Sequence, residues 1–474
     1  MTDIIYNEIT QPVAFEGASR SFRAEQRGLV GSNYDKDTIA ARELAILQMR
    51  SAHAIRNNGY AEAGRANYVA SLGEIKVLWK GMDGVQHELM QDLWDEFAAN
   101  PSLDGHGTMA SKQATWNSTI YETGCAFSQM VVQRTGNNNT VPLKLHDIPS
   151  GLHDILYNGI SSKDNIKTGI KFVSNKPKHY YFRQGLYNDL WYGVVNTNPY
   201  TVVPAKDLIH IFERTSPGQW LGIPKLAPIL HSLYELDELA DATIAKQKAA
   251  QAIAWIVEQT GLSSATPTGT PSVSKDDTGK GKVVFKTTGG NTQYLNKGEK
   301  IHFYQSTDIG ANLPILIKSE LQRAASSLGI PYYILTGDTD GLDFSTIRAL
   351  LIQLRSRLEH IHNVQTIPLG IGRVTERFKE LATLYGNVSD ATAYFQLPRW
   401  YGVDDLKDSQ ANLLDLSMGA TTIQRIMSER HLTVAELEES KGILDRLGLG
   451  HLMTTVASGG NQVTNVQANA NSSV

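Results

Sequence analysis

The chain has 474 residues, 41% of them hydrophobic, a single cysteine and a formal net charge of −4. That length divides into two or more compact units, and one cysteine excludes both an intrachain disulfide framework and a zinc site of paired thiolates, which fits a reducing, cytoplasmic origin. The charge balance offers no bulk basicity for nucleic acid, no stretch approaches the roughly 18 apolar residues of a membrane span, and the first residues lack a signal-peptide pattern.

Residues 1–32 mix Gly, Ser, Arg and Phe without a period and predict an arm ordered by contact with something else. From Asp35 the pattern turns helical, with Leu44, Leu47, Ala54 and Ile55 on the apolar side and a stop at Asn57-Asn58-Gly59. A second helix is expected over Met82–Ala99 and a third over Thr108–Gln133, interrupted at Gly124. Between Val141 and Phe212, short runs such as Gly169–Val173 and His179–Arg183, separated by Asn, Gly and Pro, predict a small β-rich region. The Asn-x-Ser/Thr triplets at Asn117, Asn387 and Asn471 read as chance matches to a glycan signal.

Three prolines and two glycines, Pro217, Gly218, Gly222, Pro224 and Pro228, then crowd a stiff junction. Leu226, Ile229, Leu230, Leu233, Leu236 and Ala240 follow at helical spacing, a pattern that can run to Glu258 and span about 50 Å. Gly261–Lys282 is too polar to supply a core and predicts a mobile excursion, with strand candidates at Lys282–Lys286 and Lys300–Tyr304 after it. Helix returns over Leu313–Leu328 and stops at Gly329-Ile330-Pro331. A Gly- and Asp-rich loop follows at Thr336–Ser345. The next helix carries Ile347, Leu350, Leu351, Leu354, Leu358 and Ile361 on one face, and Pro368 is expected to kink or end it. Capping boxes at Thr421–Gln424 and Thr433–Glu436 open two short helices, and Ser458–Val474 has the composition of a disordered tail. The layout is α+β and mostly helical.

Candidate chemistry is sparse. Cys125, His153 and Asp154 offer a nucleophile, a base and an orienting group, the basis of an alternative reading as a cytoplasmic enzyme; the competing reading is a buried thiol within a helix. His360 and His362, two apart, fall on different faces of a helix, which suits a solvated or partner-facing role better than a metal. Lys275–Lys282 lacks the spacing of a phosphate loop. Asp338, Asp340 and Asp343 alternate with glycines but lack the ligand order of a calcium loop. No catalytic constellation, cofactor or metal site is predicted.

Four stretches together resemble the portal proteins of tailed double-stranded DNA bacteriophages, in the lambda-like branch. They are Arg56-Asn-Asn-Gly-Tyr-Ala61, where family members carry proline in place of Gly59; His210–Leu230, with Lys225 for a bulky residue; Leu295–Lys300 with Ala324–Tyr333 and Asp343–Arg348; and Val403–Ala411 with Met418–Thr422. The resemblance implies a dodecameric ring around a DNA channel at one capsid vertex, assembled in the host cytoplasm, used in packaging and ejection. Its implied partners are the chain itself, duplex DNA without sequence preference, terminase, a major capsid or scaffold protein and head-tail adaptors, with no membrane, cofactor or enzymatic activity.

Carried onto this sequence, the resemblance implies an arm at 1–32, a wing at 33–229, a stem helix at 230–258 and a clip at 259–311. A second stem helix at 312–330, a tunnel loop at 331–345, a kinked spine helix at 346–389, a crown at 390–457 and a tail at 458–474 complete it. Channel candidates are Thr336, Asp338, Thr339, Asp340 and Asp343; clip candidates are Lys275, Lys280, Lys282 and Lys286; the five junction residues and Pro368 would set angles. Asp338 and Asp340 are expected to repel phosphate, and Asp276 and Asp277 to offset the clip lysines.

Overall fold

The structure, a computed structural model, describes residues 36–82, 85–133, 141–161, 164–184, 200–252, 256–259, 272–275, 281–284, 299–302, 312–386, 390–398, 405–423, 426–427 and 434–446. The expected arm and tail lie outside the described residues. The chain groups into two compact units, residues 1–228 with 328–474, and residues 229–327.

The first unit opens with helices α1 (Lys36–Asn57) and α2 (Gly59–Leu72). Asn58 ends one and caps the other: its Oδ1 accepts from Tyr60 N at 3.0 Å and Ala61 N at 2.9 Å. The buried stripe of α2 is Ala61, Gly64, Tyr68 and Leu72. Gly64 is needed there, since a Cβ would lie 2.4 Å from Tyr121 Oη and 3.3 Å from Leu328 Cδ1. Gly59 is the first helical residue, its Cβ direction is open, and Asn58 before it is extended at φ −113° and ψ 120°. This position accepts proline without loss. Gly59→Pro is therefore expected to stabilise the chain by about 0.4–1 kcal/mol, read as a raised urea midpoint; an unchanged or lowered midpoint would refute this.

Strand β1 (Lys76–Lys80) precedes α3 (Glu88–Ala99), so the expected helix from Met82 starts six residues late. Helix α4 (Met109–Thr123) ends at Gly124 in the left-handed conformation, φ 88°. The continuation to Gln133 is not helix but strand β2 (Cys125–Val132). It is buried along most of its length on both sides, so it lacks the alternation that marks a strand in sequence.

The β-rich region is two antiparallel sheets. One has the order β3-β2-β9, with β3 at Leu143–Ile148 and β9 at Leu208–Phe212. The other runs in sequence order through β4 (Gly159–Ser161), β5 (Asp164–Lys167), β6 (Ile170–Val173), β7 (Lys176–Arg183) and β8 (Tyr200–Pro204). Phe127, Tyr180, Phe182, Leu208 and Phe212 fill one core cluster between them. Asn117 is 3% exposed on α4, consistent with a chance glycan match.

The second unit contains α5 (Leu230–Ala252), β10 (Ile256–Gln259), β11 (Ser272–Lys275), β12 (Gly281–Val284) and β13 (Glu299–His302). Helix α6 runs from Asn312 to Leu328. The helix expected to reach Glu258 stops at Ala252, and residues Ile256–Gln259 pair antiparallel with β13 instead. Strand β11, within the stretch expected to be a mobile excursion, pairs antiparallel with β12, which overlaps the strand expected from Lys282. Arg323 of α6 donates to Ser232 Oγ of α5.

The first unit resumes with α7 (Tyr332–Thr336) and α8 (Phe344–Ile361). Pro368 does not end this helix. The backbone widens into a π-helical segment, His362–Ile371, and returns to α-helix as α9 (Gly372–Gly386). Proline lacks an N–H and clashes with the carbonyl four residues back, and the wider register relieves both conflicts. The segment packs closely on β9, where a Cβ at Gly370 would lie 2.9 Å from Ile211 Cδ1. His362 is fully buried and its Nε2 donates to Leu72 O at 3.0 Å, so the expectation of a solvated or partner-facing histidine is corrected.

Strand β14 (Thr392–Gln396) returns to pair antiparallel with β1, and Trp79, Trp94, Phe97 and Phe378 cluster beneath it. Helices α10 (Asp405–Ser417) and α11 (Val434–Arg446) follow; the capping residue expected at Thr433 lies outside the described residues. No described helix is long and apolar enough to cross a membrane.

Candidate functional site

The junction is held by one side chain that sequence reading overlooked. Gln219, 3% exposed, accepts at Oε1 from Thr215 N (2.9 Å), Thr215 Oγ1 (3.0 Å) and Ser216 N (3.2 Å). Its Nε2 donates to Leu221 O (2.7 Å) and Glu213 O (3.4 Å). A loop cannot pair its own backbone as a helix does, so this amide supplies the missing partners. The only sequence signal was a long polar residue set between the Pro217-Gly218 turn and the apolar Trp220-Leu221.

Gly218 takes the left-handed conformation, φ 79°. Gly222 lies against Gly124, whose carbonyl oxygen would sit 1.9 Å from any Cβ at 222, and Gly222 N donates to Cys125 Sγ at 3.0 Å. Pro224 O accepts from Ala227 N at 3.0 Å and Lys225 N donates to Tyr121 O at 3.1 Å. Lys225 also pairs with Glu213 and lies 6.0 Å from the Tyr68 ring centroid. The segment is thus fixed to α4 and β2 up to Pro228, where the first unit's chain breaks off.

The polar loop is built on α7. Asn67 of α2 donates to Ile334 O at 2.7 Å and Leu335 is buried, which anchor α7. Gly337 caps α7 at φ 74°, its N–H reaching Tyr333 O at 2.8 Å. Asp338 is structural: Oδ2 accepts from Tyr332 Oη (3.2 Å), Oδ1 accepts from Asp340 N (3.0 Å), and its own N–H donates to Thr336 Oγ1 (3.2 Å). Thr339 O accepts from Leu342 N at 3.2 Å. Asp343 precedes α8; its carboxylate accepts from Thr346 and Ser345 hydroxyls, which hold it below the usual carboxylate range. Asp340 is exposed at the tip. Of the five channel candidates, then, Asp340 is the exposed carboxylate whose side chain, among the described residues, takes no part in the hydrogen bonds that shape this loop.

Lys275 and Lys282 occupy β11 and β12, with Lys275 opposite Gly281 and Ser274 opposite Lys282. Lys280, Lys286, Asp276 and Asp277 lie outside the described residues. The Cys125 trio is not assembled as catalysis needs. Asp154 gives its carboxylate to Arg183 (2.7 Å) and Tyr200 (2.9 Å) rather than to His153. Burial pushes Asp154 upward, but these partners outweigh it and leave it below the usual range. Cys125 begins a buried strand and is not within a helix. Among the described residues, no group of three or more His, Cys, Asp or Glu could hold a metal.

His153 and His210 are packed around Phe127, with ring centroids 5.0 and 4.5 Å from it. Burial lowers His153 to about 4 and His210 well below its ordinary value. The unfolded chain takes up these protons near pH 6.5 while the folded chain refuses them, so stability is complete above 6.5 and is lost as pH falls toward 4. Urea midpoints from pH 7 to 5 are expected to decline, by up to about 1.4 kcal/mol per pH unit for each histidine. A flat profile over that range would contradict the neutral-histidine core.

The family model described as "Phage portal protein, lambda family" matches residues 23–362, well over half of the chain, including the junction, the polar loop and α8. This chain belongs to the lambda family of phage portal proteins. A probable portal protein of Halomonas phage phiHAP-1 is 22% identical over 419 residues, covering 84% of this portal chain and 79% of its relative. Among solved structures, the neck of an empty gene transfer agent particle is 13% identical with a TM-score of 0.46, covering 87% of this chain and 98% of the other. An HK97-family phage portal protein from Corynebacterium diphtheriae is 12% identical with a TM-score of 0.30, covering 76% and 96%.

Proposed function

We propose that copies of this chain close into a dodecameric ring at one capsid vertex, around a channel through which duplex DNA is packaged and later ejected. The observation that carries this reading is the family match over residues 23–362. In it, residues 33–229 form the wing, 230–258 and 312–330 the stem, 259–311 the clip, 331–345 the tunnel loop, 346–389 the spine and 390–457 the crown. Terminase and then head-tail adaptors dock at the clip, and the shell or scaffold protein meets the wing.

A closed ring needs every copy to present the same angle to its neighbour. The junction supports that requirement: Gln219 binds its loop at five points and the Gly124–Gly222 contact leaves no slack at the backbone. A channel that passes any sequence must also bind phosphate weakly. One phosphate-binding lysine per subunit would place about twelve contacts on the duplex, each steepening the salt dependence by roughly 0.9 in log units. An exposed carboxylate at Asp340 opposes such binding.

Electron microscopy of the purified full chain tests the ring: a central hole is expected, and a strictly monomeric protein at high concentration would overturn the reading. For the channel, Asp340→Asn should slow DNA passage or raise its salt sensitivity in a packaging assay while leaving the fold intact. Asp338→Asn is less informative, because Asp338 also shapes the loop. Unaltered packaging with Asp340→Asn would remove the repulsive role and leave a surface turn.

A further inference from the structure

The outer face of α3 carries a conflict that the described residues do not resolve. Glu88, Asp92, Asp95 and Glu96 recur at helical spacing, all exposed, and among the described residues none of them forms an ion pair. Like charges at i and i+4 oppose one another, and Asp95 and Glu96 lie toward the negative end of the helix dipole, where the last turn has no basic residue. Beside this stripe stand three exposed apolar side chains, Met82 (89%), Val85 (63%) and Leu89 (54%). Bonds from Gly81 N to Val85 O and from His87 N to Trp79 O, both 2.8 Å, fold their turn back onto β1. A solvated face has no use for such apolar exposure, and a core face has no use for the acids.

The sequence ahead of α1 supplies the complement. Phe15, Phe22 and Leu29 recur every seven residues, and Arg20, Arg23 and Arg27 recur at i, i+3 and i+7. In a helix these would make one apolar and one basic stripe. Residues 30–35 give a tether of up to about 20 Å before α1. We infer that residues 15–29, from the same copy or a neighbouring one, dock on the acidic and apolar face formed by residue 82 and residues 85–96. The arginines meet Asp92, Asp95 and Glu96, and the aromatic residues cover Met82, Val85 and Leu89.

The test uses the full chain carrying Phe22→Cys and Leu89→Cys, treated with a short bis-maleimide; the native Cys125 is 2% exposed. Cross-linking should exceed that of a control pair, Phe22→Cys with Leu384→Cys, the latter site being 74% exposed. A link within a monomer means the arm folds back on its own copy, and a covalent dimer means it reaches a neighbour; either supports docking. Reversing Arg20, Arg23 and Arg27 to Glu, or Asp92, Asp95 and Glu96 to Lys, should lower the yield about tenfold, the effect of losing three exposed ion pairs. The two reversals combined should restore it. If a reversal disturbs folding, Asp92→Asn with Asp95→Asn and Glu96→Gln gives the same reading with less perturbation. A yield no higher than the control, or one indifferent to charge reversal, would overturn the inference.

Discussion

Gly222→Ala is expected to destabilise the chain by about 3 kcal/mol or more. The added methyl would fall 1.9 Å from the carbonyl oxygen and 2.7 Å from the carbonyl carbon of Gly124, with Phe212 Cβ at 3.1 Å. Two of those three atoms are backbone, so no rotamer change relieves the clash. Gly124 cannot retreat easily, because it caps α4 at φ 88° and opens β2, which is paired on both edges. Gly218→Ala separates sterics from conformation: it has φ 79° but nothing within 4 Å of its Cβ direction. It should cost only about 1–2 kcal/mol, the penalty of a left-handed alanine. Urea denaturation of both variants checks the pair, and equal midpoints would show that the Gly124–Gly222 approach does not govern the junction.

The second large effect is expected at Phe378, which is fully buried on α9. Its ring centroid lies 5.1 Å from Trp94 at an interplanar angle of 87°, 5.3 Å from Phe97 and 6.0 Å from Trp79. Removing a ring of this size from a packed core costs about 3–5 kcal/mol, and three aromatic neighbours place Phe378→Ala toward the upper end. The loss should weaken the docking of α9 on α3 and β1. Leu384→Ala, six residues later and exposed, should stay within about 0.5 kcal/mol of the parent. A midpoint for Phe378→Ala indistinguishable from that of Leu384→Ala would mean that the aromatic cluster contributes little.

How much of this could be read from sequence depended on where the apolar signal lay. Helices α1, α6 and α8 were legible because large aliphatic residues recur on one side. Helix α2 was not, since its buried stripe begins with Ala61 and Gly64, small residues chosen for close approach and invisible to a hydrophobic period. Strand β2 read as helix because burial on both faces removes alternation, and Gly124 was the real boundary. Strand β1 is too short to announce itself, and its partner β14 lies near the other end of the chain. The polar loop and the junction were found through their Gly, Asp and Pro residues. What they do locally was not legible: that Asp338 bonds its own loop while Asp340 faces solvent depends on Tyr332, six residues before Asp338, reaching its carboxylate.

The lone thiol has a practical meaning. Cys125 Sγ is buried and accepts from the N–H of Gly222, so a maleimide reaches it when the packing around it opens locally. Its modification rate, followed against time in native buffer, therefore clocks how often the segment ahead of Pro228 breathes, and assembled particles should tick more slowly than free chains if assembly clamps it.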